Sequence, residues 1–480
     1  GLTVMSEPST SRFEVTHIYT REDGNYPPSD VEPVGERQPL SARESSFPNL
    51  EVSFLQGAKL SIEQVAQALI SKDDGPEDFD KRPGRVLCEK VDLPLSKTTT
   101  VSGPAKLIFD PKTGAISQFS IDTPEVLDYL KEENDYADSC MEETRPFQEK
   151  LYQEFVSRIK ETDLSVPYLE GGYYYYTRTE KGKQYPAYCR KHGSLESEEE
   201  LLLDLNEMAE GKTFLSLGDM EVSDDGKLLA FTTDETGFRQ YTLQVMEIAT
   251  RKMLPVREER VTSLAWTPDN QTIYFVTENK TTKRSDKMWV RGLETPAEEV
   301  YLEADELYHI GVARTRSGRF LLLQIESSDT SECRYVDLSS DERQLKLICP
   351  REDEHEYYPD HHGDYFYIRT NDRGRNFRLV RTSLENTERA GWEEVIAYRP
   401  DVMIEDCDYF SRYFVIHERY QGLVHFRILD SATGESREID FPEPVYSVFG
   451  AHNPEFDVNT FRYGYLSMVT PNSVYEYNFD

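Results

Sequence analysis

Four residues near one another in the sequence, His355, Asp360, His361 and His362, form its densest group of potential metal ligands. Imidazole and carboxylate are the donors that hold zinc and related ions. Adjacent residues on a strand point to opposite faces, however, so His361 and His362 would not easily meet on one ion. Asp360-His361-His362-Gly363-Asp364 reads instead as a turn entering a strand. Nucleophilic hydrolysis would need a nucleophile with its base and an oxyanion hole. No G-x-S-x-G elbow occurs in the sequence. The nearest approach, Gly434-Glu435-Ser436, lacks the second glycine and follows Ser431-Ala432-Thr433 in what reads as a hairpin loop. Neither a phosphate-cradling G-x-x-x-x-G-K-S/T nor a zinc-binding H-E-x-x-H is present. Tyr173-Tyr174-Tyr175-Tyr176 could stack on a ligand, but alternation along a strand would bury one pair in the core and leave the other on the opposite side. Glu196, Glu198, Glu199 and Glu200 read as a solvated loop. No residue is assigned a catalytic, cofactor-binding or metal-binding role, and no cofactor is expected.

The elements that would position such side chains follow a repeat. From Tyr173 to the C-terminus a short apolar or aromatic strand recurs roughly every 45–55 residues, usually after an acidic or glycine-containing turn. The copies are 172–177, 223–232, 267–277, 316–325, 362–370, 408–417 and 457–467. Further short strands follow each copy, such as those around Tyr241–Val245 and Phe377–Val380. Several short strands in a period of this length are the signature of a β-propeller, one blade per repeat. The expected fold is therefore mainly β: a seven-bladed β-propeller over 163–480, whose inner strands are the copies just named. A helical segment and a small α+β region precede it.

Residues 1–50 are rich in Ser, Pro and acidic residues, and are expected to be disordered. Residues 51–121 read as a small α+β unit. Ser61 and Gln64 suggest a capping box opening a helix with Ile62, Val65, Ala66 and Leu69 on one face. Segments 105–109 and 115–121 flank Asp110-Pro111-Lys112-Thr113-Gly114 as a hairpin. Residues 122–162 read as a helical linker. Its first helix starts at Pro124; its second, near 145–160, carries Phe147, Leu151, Tyr152, Phe155 and Ile159 along an apolar stripe. That stripe is expected to pack on a neighbouring domain, with cover by residues 51–121 slightly favoured over self-association or another chain.

A formal charge of −35 disfavours nucleic acid, whose phosphates need a basic surface, and suits a basic substrate or partner. No run of 18 apolar residues exists, so no membrane span is expected. Six scattered cysteines without a C-x-x-C pair suit neither a disulfide scaffold nor a zinc site, and point to a reducing cytoplasm.

Three stretches make the sequence recognisable. They are Arg158-Ile159-Lys160-Glu161-Thr162-Asp163-Leu164-Ser165-Val166-Pro167-Tyr168, then Gly172-Tyr173-Tyr174-Tyr175-Tyr176-Thr177-Arg178, then Lys183-Gln184-Tyr185-Pro186-Ala187-Tyr188-Cys189-Arg190. They closely resemble the prolyl oligopeptidase family, and within it the oligopeptidase B branch. Glu221–Gly226, Thr236–Leu243, Ala265–Asn270 and Lys283–Trp289 continue the match, which covers roughly 124–480. The resemblance implies a seven-bladed, non-catalytic propeller that caps an α/β-hydrolase and limits access to small peptides. The family's catalytic Ser, Asp and His lie in a hydrolase domain that follows the propeller. The present sequence reaches Asp480 at what resembles the last blade strand, so the resemblance transfers no catalytic residue. Residues 1–120 also lack the family's N-terminal Tyr-Trp pair. Three readings follow: the gating propeller of an oligopeptidase B-like peptidase without its hydrolase domain, inactive alone; a stand-alone propeller binding a peptide or protein; or, least supported, an enzyme using carboxylates at the propeller mouth. Short basic peptides or a separate hydrolase domain or chain are the expected partners.

Overall fold

The structure is a computed structural model. It describes residues 4–6, 13–15, 85–94, 100–109, 116–121 and 124–480 apart from Asp341, with side-chain surroundings from Leu130 onward. Two compact units divide the chain, Gly1–Ile159 and Lys160–Asp480. The first contains a paired Val4–Ser6 and Phe13–Val15, and a three-stranded antiparallel sheet of Arg85–Pro94, Thr100–Phe109 and Ile116–Ile121. The last two strands pair where the hairpin is expected; its turn and the helix expected at 61–70 lie outside the described residues. Two helices follow, α1 (Pro124–Met141) and α2 (Arg145–Arg158), with Pro146 in the first turn of α2, where its missing N–H breaks no helical bond. Phe147, Tyr152, Phe155 and Ile159, on the apolar stripe of α2, are exposed.

The second unit is a propeller of seven antiparallel sheets, each built from consecutive strands. The strands that open the blades are β1 (Tyr168–Glu170), β2 (Ser216–Val222), β3 (Val261–Trp266), β4 (His309–Arg314), β5 (Tyr357–His362), β6 (Met403–Tyr409) and β7 (Tyr446–Gly450). Several of these contact the opening strand of the next blade, which puts them around the axis. The strand repeats read from the sequence as inner are therefore second strands: Tyr173–Thr179, Leu228–Asp234, Thr272–Glu278, Phe320–Glu326, Tyr365–Thr370, Tyr413–Tyr420 and Thr460–Ser467. The physical reason is burial on both faces. Second strands are covered by the blades on either side and read as continuous apolar runs, which dominate any sequence pattern. Leu229, Ala230 and Phe231, for instance, are all buried although they alternate in direction. The tyrosine run behaves the same way. Tyr175 packs with Leu203 and Phe231, and the adjacent Tyr176 with Ala187 and Cys189 on the other face, so the buried pair is 175–176 rather than every second ring.

Blades 2 to 6 have four strands each. In blade 1 the innermost position is shared by Asp163–Leu164 and β1, both paired to Tyr173–Thr179. Blade 7 has three strands, ending with Ser473–Asn478. Apolar clusters weld neighbouring blades: Ala265 and Tyr274 of blade 3 meet Ile310 and Leu321 of blade 4, and Phe410 and Phe426 of blade 6 meet Phe461 and Tyr465 of blade 7. Among the described residues no such cluster joins blade 7 to blade 1. That seam is polar and aromatic instead. The Gly171 N–H donates to Glu455 Oε1 (2.7 Å), and His452 stands edge-on to the Tyr168 ring at 4.3 Å.

Candidate functional site

The opening strands converge on an axial cavity of about 680 Å³. Its wall is made where β1, β2, β3, β4 and β5 hand over to the second strands of their blades, together with the segment after β7. Glu170 ends β1; Asp219 and Glu221 lie on β2, and Asp224 just beyond it. Arg314 ends β4, followed by Arg316, and Asp360 lies on β5. Tyr168, Tyr175 and Trp266 supply aromatic surface.

Local backbone geometry aims the acids of β2. The pairing of β2 with Leu228–Asp234 slips between Leu217 and Met220, a bulge that redirects side chains. Gly218 sits in the slip. A Cβ there would approach Thr232 Oγ1 to 2.5 Å and the Tyr241 ring to 2.7 Å, so only glycine fits. The Asp219 N–H then donates to Thr232 Oγ1 (2.8 Å), and Trp266 Nε1 donates to the Glu221 carbonyl (3.1 Å).

Charge in the cavity is unevenly compensated. Arg314 makes a bidentate pair with Asp224 (2.7 and 3.1 Å). Arg316 pairs with Asp408, which also accepts from His417 Nε2 (2.9 Å). Burial opposes the Asp408 charge, but the hydrogen bond from His417 and the Arg316 guanidinium hold that carboxyl below its ordinary value. Glu221 and Asp360 are treated differently. Asp360 accepts the neighbouring His361 N–H (2.7 Å), and the Trp266 backbone N–H favours the Glu221 carboxylate without offsetting its burial. Burial, reinforced by the Asp219 charge, pushes Glu221 up to about 8; burial likewise pushes Asp360 up to about 6. Burial raises Asp219 as well. The cavity wall thus carries more carboxylates than guanidinium groups, with Glu170, Asp219, Glu221, Asp224 and Asp360 against Arg314 and Arg316.

The histidines singled out in the sequence are committed elsewhere. His361 and His362 lie on β5, not in a turn, because β5 pairs with Tyr365–Thr370 up to the His362–Tyr365 register and leaves only Gly363 and Asp364 to turn the chain. His361 contacts Ser317 Oγ through Nδ1 and the Gly363 carbonyl through Nε2, both at 2.8 Å. That is a serine–histidine contact, but the ring is buried edge-on against Phe320 and its other nitrogen faces a backbone carbonyl rather than a carboxylate. His362 Nε2 faces the Ser411 carbonyl (2.9 Å), and His355 Nε2 faces Thr370 Oγ1 (2.9 Å). Among the described residues no three His, Cys, Asp or Glu side chains converge to hold a metal. Glu199 and Glu200 belong to the strand Glu199–Asp204, not to a loop. Glu199 accepts from Tyr176 Oη (2.6 Å) and Glu200 from Arg190 Nε (2.7 Å), cross-strand bonds that draw them into the sheet. Gly434 turns the chain between Leu423–Asp430 and Ser436–Glu438, as the hairpin reading expects. Of the cavity acids, sequence reasoning singled out Asp360 alone, as a potential metal ligand, and missed Glu170, Asp219, Glu221 and Asp224. The available signal was carboxylates inside strands, where Asp and Glu are normally sparse.

The fold is a seven-bladed β-propeller with a cavity lined by the opening strands of its blades. The family model for the prolyl oligopeptidase N-terminal beta-propeller domain matches residues 120–480, and the chain belongs to the prolyl oligopeptidase family. It is 36% identical over 377 residues to dipeptidyl aminopeptidase BI of Pseudoxanthomonas mexicana, covering 74% of this chain and 52% of that protein. With Protease 2 of Moraxella lacunata it shares 28% identity over 368 residues, 74% of this chain and 53% of the relative. Among solved structures it is similar to oligopeptidase B from Trypanosoma brucei, a closed form with covalently bound antipain. That match has a TM-score of 0.70 and 27% identity, and spans 83% of this chain and 58% of the other. The chain spans about half the length of the curated relatives it matches.

Proposed function

We propose that this chain provides the substrate-admitting propeller of an oligopeptidase B-like serine peptidase. Bond cleavage is assigned to an α/β-hydrolase part, in the same polypeptide or in another chain. The observation that carries the reading is the axial cavity: about 680 Å³, within the usual size of small-ligand sites, it accommodates a short peptide and excludes a folded domain. Its acidic wall favours basic peptides, and the overall charge of −35 would steer them inward at low salt. Free thiols at Cys189, Cys333, Cys349 and Cys407 fit a reducing cytoplasm. No helix among the described residues is long and apolar enough to cross a membrane.

Purified as these 480 residues, the protein is expected not to turn over an Arg-containing fluorogenic peptide. Positioning without an activated nucleophile and oxyanion hole accelerates little. Turnover that survives purification to homogeneity and is abolished by a serine-directed inhibitor would overturn the assignment of the chemistry to another part.

A further inference from the structure

Two ion pairs at the cavity join blades that are not neighbours. Asp224, just beyond β2 in blade 2, takes Arg314 at the end of β4 in blade 4, with Nη1 to Oδ1 at 2.7 Å and Nη2 to Oδ2 at 3.1 Å. Arg316, two residues further on, takes Asp408 on β6 in blade 6. Blade 3 stands between blades 2 and 4, and blade 5 between blades 4 and 6. A link that skips a blade runs as a chord across the mouth of the ring. Segment 314–316 therefore extends one arm to each side.

Both arms are held at more than their tips. Arg314 Nη2 also donates to the Gly318 carbonyl (3.2 Å). Position 318 has φ +73° and a Cβ there would lie 2.9 Å from the same nitrogen, so glycine lets the arm lie down. The Arg316 guanidinium stands 4.6 Å from the centre of the Phe410 ring, and His417 Nε2 meets Asp408 Oδ2 from the other side at 2.9 Å. Exposure to solvent separates the two. The side chains of the Arg316–Asp408 pair are 18% and 15% exposed, those of the Arg314–Asp224 pair 22% and 43%. Salt screens an exposed pair and largely spares an enclosed one.

We propose that Arg314 and Arg316 form a two-armed latch across this mouth of the axis. The Arg316 arm is a fixed tie between blades 4 and 6; the Arg314 arm is a salt-released bar between blades 4 and 2. Closed, the latch bars this end of the cavity to a peptide. Released, it opens the side over blade 3. This rests on reading the cavity as a peptide entry, and adds which residues close one end of it and what frees them.

Trp266 reports on the latch. It ends β3, the strand that the Arg314 arm passes, lines the same cavity and is 1% exposed. With Trp289→Phe and Trp392→Phe it is the chain's only tryptophan. Acrylamide quenching of its fluorescence in the 480-residue protein should rise about threefold between about 20 mM and about 1 M NaCl, where the screening length falls to about 3 Å. Arg314→Met should show the higher quenching at both salt concentrations. Asp224→Asn, the milder substitution, should do the same, and the two together should add nothing more. Lys212→Met removes an exposed pair with Glu235 and should keep the parent's salt response. A tri-alanine amide carrying a nitroxide, used in place of acrylamide, reads the passage of a peptide. It should quench Trp266 in Arg314→Met and not in the parent at low salt. Hydrogen exchange separates the arms: salt should speed exchange about threefold in 219–226 and leave 403–412 unchanged. Cooperative thermal unfolding establishes that each variant is folded. Quenching of the parent that ignores salt, Lys212→Met matching Arg314→Met, additive effects of Arg314→Met and Asp224→Asn, nitroxide quenching equal in Arg314→Met and the parent, or equal acceleration in 403–412 would each overturn the proposal. No readout involves turnover, so the assignment of the chemistry is judged separately by the peptidase assay.

Discussion

Glu221 and Asp360 retain their protons in the folded chain at pH values where they would lose them in the unfolded one. Their folded values, about 8 and about 6, lie above the ordinary 4.5 and 3.8, so over those windows the folded chain binds more protons and stability falls as pH rises. Glu221→Gln should therefore stabilise the protein at pH 8 by roughly 1–3 kcal/mol and flatten the alkaline side of its stability profile. Denaturant unfolding from pH 5 to pH 8.5 measures this, and an unchanged slope would contradict it. His355 and His361 act in the opposite sense. Burial lowers both, so their contribution is present above the ordinary 6.5 and is lost as pH falls through that value toward the folded ones. None of this was legible residue by residue. Glu221 belongs to Glu221-Val222-Ser223-Asp224-Asp225-Gly226, which reads as an ordinary acidic turn until the bulge at Gly218 and the neighbouring blades enclose it.

At the scale of elements, the sequence displayed the strands that touch apolar neighbours on both faces and concealed those that line the axis. Phe320-Leu321-Leu322-Leu323 is plain as a strand, whereas β5, Tyr357-Tyr358-Pro359-Asp360-His361-His362, mixes aromatic, proline and charged residues, and its end reads as part of a turn over 360–364. An inner strand has a packed face and a face toward the cavity, so polar residues there are compatible with the sheet. The repeat period survives this ambiguity because it counts blades, not strands. The helices were legible from caps and periodicity, but the fate of their apolar stripe was not, since periodicity shows that a face is apolar and not what covers it. With Phe155 58% exposed and Leu151 half-buried, Leu151→Asp together with Phe155→Asp should leave the unfolding of the propeller within about 0.5 kcal/mol of the parent. Any self-association through the stripe should weaken in the same variant, as sedimentation would show. A large loss of propeller stability would mean that the stripe supports the blades.

At the scale of the whole propeller, seven blades surround an acid-walled axis, and six of the junctions between them are apolar. The seam between blades 7 and 1 depends on Tyr168, His452 and the Gly171–Glu455 bond, which makes it the ring's least hydrophobic joint. Such a ring holds its channel by packing each blade against the next, so access should be governed by the axis and not by the outer surface. Transplanting residues 120–480 in place of the corresponding propeller of dipeptidyl aminopeptidase BI tests that claim most directly. The readout is cleavage of a short peptide compared with cleavage of the same sequence held in a folded protein. The account predicts that the chimaera hydrolyses the peptide and leaves the folded protein intact. Comparable cleavage of both would contradict it.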